Sequence, residues 1–246
     1  MFNTQPAGAL NVQRLEPQEI TMAQSIVATL ELLIQTRRQE GTAALLSWEQ
    51  LYEPLSLPQR EFLDAFRALR AKTIGSASKY FGELKDASDI VPVGAERYIK
   101  DGQETVIDLQ YLPRPVLEAC QRMLDAMEKD LGRRLLVESG YRSPAYQLYL
   151  FLFYMPNHDF SILESNRHIA LPGHSEHGYP PLQAIDFINQ EGINGEYDPD
   201  AFEALPEFAW LQEHADKFGF FLSYPRDNPT NSAYEPWHWH YEPPGA

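Results

Sequence analysis

Apolar positions recur at the helical period over the first third of the chain. Ile20, Ile26, Val27, Leu30, Leu33 and Ile34 mark a first helix that Gly41 stops. A second helix is expected over Thr42 to Tyr52. A third starts near Pro58, buries Phe62, Leu63, Phe66 and Leu69, and stops by Gly75. A polar, irregular stretch follows to about Glu104. Beyond it the pattern predicts a short strand over Thr105 to Leu109 and a helix from Pro115 through Leu131. That helix carries an inner stripe of Val116, Cys120, Met123, Leu124 and Met127, and Gly132 ends it. Leu135 to Ser139 reads as a strand. Ser143 then suits an N-cap and Pro144 a first helical position, so Arg142 falls at a strand-to-helix junction. Residues 155 to 181 read as loop. A strand over Leu182 to Ile188, a helix over Pro206 to Phe218 stopped by Gly219, and strands over Phe220 to Tyr224 and Tyr234 to Tyr241 complete the chain.

Two of these strands have faces that do not fit a plain core. Leu182, Ala184, Asp186 and Ile188 share one face of theirs, which is apolar except for Asp186. A buried carboxylate is costly unless it is paired, hydrogen-bonded or bound to a metal, so Asp186 needs a partner. In the last strand Trp237, Trp239 and Tyr241 point one way while His238 and His240 point the other.

Composition narrows the partners. A chain of 246 residues with 43% hydrophobic content can build a substantial core. The net charge is −15, and no stretch is dense in lysine and arginine, so nucleic acid is not an expected partner. The single cysteine, Cys120, cannot form an internal disulfide and sits in an apolar helical stripe. The first residues lack the basic start and apolar run of an export signal. No segment approaches 18 uninterrupted apolar residues, so no membrane span is expected.

Three separated pieces suggest one site: His177 with Asp186, Glu235 with His238, and the junction Ser139-Gly140-Tyr141-Arg142-Ser143 with Gln147 one turn into the helix. Two neutral imidazoles and a carboxylate suit zinc and leave a fourth position for water. Glu235 is the candidate base and Arg142 the candidate partner of an oxyanion. In a regular strand Glu235 would face away from His238, so the backbone is expected to bend at Glu235-Pro236. His240 shares a strand face with His238 and is the rival ligand, ranked here as a substrate-side or second-layer group. His174, His158, His168 and His214 have no supporting neighbours and are read as ordinary loop, surface or core histidines. The aromatic run at 148 to 154 is read as core or pocket wall.

The segments SGYRSPAYQ at 139 to 147, SEHGYPPLQAID at 175 to 186 and EPWH at 235 to 238 resemble, in that order, the motifs of the zinc D-alanyl-D-alanine carboxypeptidase and dipeptidase family, the VanY-like and VanX-like peptidases. The resemblance implies His177, Asp186 and His238 as zinc ligands, Glu235 as general base and Arg142 as the stabiliser of substrate and transition-state charge. It places Ser175 and Gln147 on the substrate pocket, with Ser139 and Tyr141 in the junction motif beside them. It also implies an α+β fold, an antiparallel sheet flanked by helices with zinc on one sheet face. A helical extension over 1–104 then precedes a metallopeptidase domain over 105–246.

One departure stands out. The family pattern S-x-H-x-x-G-x-A-x-D separates its histidine and aspartate by six residues. Here eight residues separate His177 from Asp186, and Leu182 stands where the glycine is expected, so the turn must differ. The implied reaction is zinc-dependent hydrolysis of a peptide bond next to a D-amino acid in peptidoglycan-derived peptides, foremost D-alanyl-D-alanine carboxypeptidase activity. The rivals are an L-Ala-D-Glu endopeptidase and a non-catalytic zinc-binding protein. The chain as written reads as cytoplasmic, although a cell-wall substrate points to the periplasm or cell surface.

Overall fold

The computed structural model describes residues 10–70, 74, 79–83, 89–229 and 232–243. Helix α1 (Pro17–Gln39) buries Ala23, Ile26, Leu30 and Ile34, one residue per turn, as its periodicity requires. The expected second helix is broken. Ala43–Leu45 form a 3-10 turn, and Ser47 then caps the short α2 (Trp48–Tyr52) through its side chain. Helix α3 (Leu57–Ala68) follows, and the stop expected at Gly75 lies outside the described residues.

The stretch before Glu104 is not irregular throughout. It holds β1 (Ile90–Pro92), β2 (Arg97–Lys100) and β3 (Gln103–Val106), the last two forming an antiparallel hairpin. The strand expected over Thr105 to Leu109 is thus shifted toward the N-terminus. These strands are mostly exposed, so no alternating burial marks them in the sequence. Strand β4 (Tyr111–Pro113) pairs with β1.

Helix α4 (Arg114–Leu131) buries the expected stripe and ends at Gly132, whose φ of 69° is the left-handed conformation that closes a helix. Strand β5 (Leu136–Ser139), helix α5 (Pro144–Tyr154), helix α6 (Ile162–His168) and strand β6 (Ala184–Ile188) come next. Helices α7 (Pro199–Glu203) and α8 (Pro206–His214) then lead to strands β7 (Phe220–Leu222) and β8 (His238–Tyr241). The four last-named strands make one antiparallel sheet in the order β5-β6-β8-β7. The architecture is α+β, with N-terminal helices and an antiparallel sheet, as expected. No helix among the described residues is long and apolar enough to cross a membrane.

Two apolar cores organise the chain. One gathers α1, α2 and α3 around α5 and α6, with Ile26, Leu30, Phe66 and Phe151 fully buried. The other packs α4, α7 and α8 on the four-stranded sheet around Phe187, Phe202 and Phe220. Each such side chain contributes about 1.5–3 kcal/mol on burial. Helix α5 buries nearly all its residues from Ala145 to Leu152, which explains why its sequence is apolar all round rather than striped.

Candidate metal centre and active site

The sheet register builds the centre of the site. Asp186 on β6 stands opposite His238 on β8 and beside Ser139 on β5, so one row across three strands carries all three side chains. His177 arrives from a 3-10 turn, Glu176–Gly178, above that row. One ligand atom from each of His177, Asp186 and His238 lies within 4.8 Å of the others, and all three residues are buried. They are the one group of three His, Cys, Asp or Glu so placed that it could hold a metal ion among the described residues.

Within this group the lone pairs of His177 Nε2 and Asp186 Oδ2 point at one another. His177 Nδ1 lies 2.7 Å from the Gly140 carbonyl, which only accepts, so Nδ1 carries the proton and Nε2 presents its lone pair. Nε2 stands 3.1 Å from Asp186 Oδ2. Burial, then the neighbouring Arg142 guanidinium, lowers His177 to about 4, which keeps the ring neutral. The Arg142 guanidinium lies beside both of these acceptors, and the donor set of two imidazoles and a carboxylate suits a divalent ion such as zinc. Burial opposes the Asp186 charge, yet the His177 and His238 rings hold the carboxyl well below its usual range. The apolar strand thus tolerates an acid because three nitrogen-bearing side chains surround it.

Arg142 is the third. Its Nη2 donates to Asp186 Oδ2 at 2.5 Å and lies 3.2 Å from His177 Nε2, while Nε donates to Ser139 Oγ at 2.8 Å. The junction that carries it is held from three sides. A Cβ on Gly140 would collide with the Tyr111 carbonyl, so only glycine fits there. The Arg142 N–H donates to the His177 carbonyl at 3.0 Å. Ser143 caps α5, and it donates its N–H to the Ala44 carbonyl and its hydroxyl to the Leu46 carbonyl, at 2.8 and 2.6 Å.

Glu235 resolves the strand-face difficulty. The residue precedes β8, and the His238 N–H donates to the Glu235 carbonyl at 3.1 Å, so a turn at Pro236-Trp237 brings both side chains to one side. Glu235 Oε2 lies 3.6 Å from His238 Nδ1. Burial above all, with the Asp186 charge adding to it, pushes the Glu235 carboxyl up to about 8. For His238, burial favours the neutral ring, but Asp186 and Glu176 outweigh it and raise the ring to about 10 among protein groups alone.

The other nominated residues divide. Ser139, Gln147 and Ser175 line a cleft of about 890 Å³ that opens from the His177 and Asp186 side. Gln147 Nε2 donates to the Ala170 carbonyl at 2.8 Å, leaving its buried Oε1 unpartnered. Tyr141 is buried and is not among the cleft-lining residues, nor is His240. His240 lies outside the His177, Asp186 and His238 group, with Nδ1 2.7 Å from Ser223 Oγ. His174 packs on Tyr80 away from the group, His158 stacks on His168, and His214 packs on Trp210. Of the run 148–154, Leu150 and Tyr154 line the cleft while Leu148, Phe151 and Leu152 are core.

Sequence reasoning missed Glu176, Tyr224 and Glu138. Glu176 Oε2 lies 3.0 Å from His238 Nε2, and the Tyr224 ring packs on His238 with centroids 4.8 Å apart. Glu138 faces the cleft, accepts from Asn194 Nδ2 at 2.8 Å, and is raised to about 7 by burial. Glu176 was open to detection as the residue before His177; the other two carry no local signal. The lengthened loop between His177 and Asp186 closes as two successive 3-10 turns, Glu176–Gly178 and Pro180–Leu182. Leu182 has no positive φ, so a glycine is not needed there.

The model of the VanY family, described as D-alanyl-D-alanine carboxypeptidase, matches residues 109–244. The chain belongs to the VanY family. The putative carboxypeptidase YodJ of Bacillus subtilis (strain 168) is 32% identical over 143 residues, 56% of this chain and 49% of that protein. A D-alanyl-D-alanine carboxypeptidase of Enterococcus faecium is 27% identical over 159 residues, 63% of this chain and 45% of that protein. The chain spans about half the length of these curated relatives. Among solved structures the LdcB LD-carboxypeptidase is similar at 28% identity, with a TM-score of 0.49 over 63% of this chain and 69% of that one. The VanY match begins just before β4, so the N-terminal helices lie outside it.

Proposed function

We propose that this VanY-family chain is a zinc-dependent peptidase that hydrolyses the peptide bond next to a D-amino acid in peptidoglycan-derived peptides, acting as a D-alanyl-D-alanine carboxypeptidase. Family membership and the names of the curated relatives support the reaction class. The observation that carries the reading is the convergence of the His177, Asp186 and His238 donors with Glu235 and Arg142 in one buried corner of the cleft. In this reading residues 105–246 form the metallopeptidase domain and 1–104 its helical extension.

His177, Asp186 and His238 would hold the ion. Bound there, zinc supplies Lewis acidity that acidifies a water and polarises a carbonyl. Glu235 takes the proton of the attacking water on its carboxylate as the new C–O bond forms and returns it to the leaving amine as the C–N bond breaks. Burial raises its proton affinity, which suits it to hold the proton between those two transfers, and a cation at the neighbouring donors would favour the carboxylate that first accepts it. Arg142 presents a planar, permanently charged guanidinium to the carbonyl oxygen or to the terminal carboxylate of the peptide. Ser139 fixes the Arg142 Nε, while Gln147 and Ser175 line the path of the substrate. Tyr141 and His240 do not line the cleft and have no direct role in this reading.

Zinc analysis of the purified protein combined with mass spectrometry of defined muropeptide digests tests the proposal. The expected result is one zinc per chain and release of a terminal D-alanine from pentapeptides. A digest cut between L-Ala and D-Glu would reassign the bond, and zinc without any cleavage would leave a binding protein.

A further inference from the structure

A metal-ligating imidazole coordinates through one ring nitrogen, and the hydrogen bond made by the other nitrogen sets which one it is. For His177 that second bond is to the Gly140 carbonyl. For His238 the two nitrogens both face carboxylates. Nδ1 lies 2.9 Å from Asp186 Oδ1 and 3.6 Å from Glu235 Oε2, on the cleft side, while Nε2 lies 3.0 Å from Glu176 Oε2 on the other.

Glu176 is itself held. Ser223 Oγ lies 2.6 Å from the same Oε2 and 2.7 Å from His240 Nδ1. A hydroxyl has one proton, and the carboxylate can only accept it, so Ser223 donates to Glu176 and accepts from the His240 Nδ1–H. The result is a directed chain in which His240 feeds Ser223, Ser223 feeds Glu176, and Glu176 receives the His238 Nε2–H. The Ser223 N–H is also bonded to the His238 carbonyl at 3.2 Å, which ties the hydroxyl to the strand it serves. Glu176 is largely buried, with 11% of its side chain exposed, so water is a poor substitute for these bonds.

We infer that Glu176 is a positioning residue that accepts the His238 Nε2–H and thereby turns Nδ1 toward Asp186 and the metal position, with Ser223 and His240 holding the carboxylate in place. Because Glu176 is adjacent to His177, a single turn supplies one imidazole and orients the other. This assigns His240, the rival ligand by strand face, to a place three hydrogen bonds removed from His238. The inference rests on the reading of His177, Asp186 and His238 as metal ligands.

The test is zinc affinity by chelator competition, with the visible spectrum of the cobalt-substituted protein as a second readout, on the full chain. Glu176→Ala removes the acceptor, and Glu176→Asp keeps the charge but withdraws it by one methylene. Both are expected to weaken zinc about 10–100-fold, the scale of losing such a partner, and to alter the cobalt spectrum. Glu176→Gln keeps an oxygen at the right reach and is expected to stay within a few-fold of wild type. Wild-type affinity and spectrum in a folded Glu176→Ala or Glu176→Asp protein would overturn the inference, as would a Gln variant as weak as Ala. Should Ala fail to fold, the Asp and Gln pair decides. A wild-type protein that binds no zinc would remove the metal reading itself and this inference with it, an outcome distinct from equal binding by all variants.

Discussion

The sheet side and the helical side of the cleft are built on different terms. On the sheet side, Asp186, His238 and the turn bearing Glu176 and His177 bring buried imidazole and carboxylate groups to 2.9–3.1 Å of one another. On the helical side, the junction bearing Arg142 is held largely by backbone carbonyls, two of them, from Ala44 and Leu46, contributed by the N-terminal region. Chemistry is concentrated in the first and support in the second. Arg38, Ala43 and Ala44 also line the cleft, so the N-terminal region is a wall of the site although the VanY match does not reach it. Changes on the sheet side and at the Arg142 side chain should therefore remove function at constant fold, and changes to the supports of the helical side should lower stability first.

The sharpest break of that contrast is Glu235→Gln. The amide keeps the shape but cannot take a proton from water, so kcat should fall about 10²–10⁴-fold while zinc content and melting temperature hold. Activity near wild type would remove Glu235 as the base. Next comes Arg142→Lys, which keeps the charge and loses the planar donors; kcat should drop by about 10²-fold with zinc retained. A raised KM at constant kcat would instead mean that Arg142 grips substrate equally in ground and transition states.

Ser143→Ala addresses the helical side. It removes the cap of α5 and the bond to Leu46, and a loss of about 1–2 kcal/mol should appear as a melting temperature several degrees lower. Its kcat should change less than that of Arg142→Lys; a larger kinetic than thermal effect would move Ser143 into the chemical half of the comparison.

The smallest effect concerns Glu138, whose carboxyl is raised to about 7 by burial. A raised acid contributes stability fully below its unfolded value, near 4.5, and loses it as pH rises through about 7. Glu138→Gln stays neutral and can still accept from Asn194. The variant should thus gain melting temperature relative to wild type between pH 5 and pH 8. A difference that does not change with pH would show that Glu138 ionises without cost.

Some of this was open to direct reading. The stripes of α1 and α4, the cap at Ser143 and the acid on an otherwise apolar strand are local patterns, and the helical and strand periods impose them whatever the surroundings. The Glu-Pro-Trp-His run even foretold its own bend, because proline cannot join the ladder. Helix α6 escaped notice among prolines and glycines, although Ser161 and Glu164 hold a capping signal there; seven residues are too few for periodicity to show. The β2-β3 hairpin escaped because neither face is buried, so its residues do not alternate.

What the chain order determined by itself is therefore the set of candidate groups and the elements that carry them: an aspartate within a strand, and two histidines, a glutamate and an arginine on strand ends and turns. What only the tertiary structure decided is which atoms meet. Strand register sets Asp186 against His238, and the choice between His238 and His240 follows from it, since side chains two residues apart share a face but not a position along the sheet. The pairing of Glu176 with His238, 62 residues on, and of Ser143 with Leu46, 97 residues back, joins segments that the sequence keeps far apart. Such contacts form only when both cores close, because burial in a folded interior is what makes an unmet polar group costly enough to demand one particular partner.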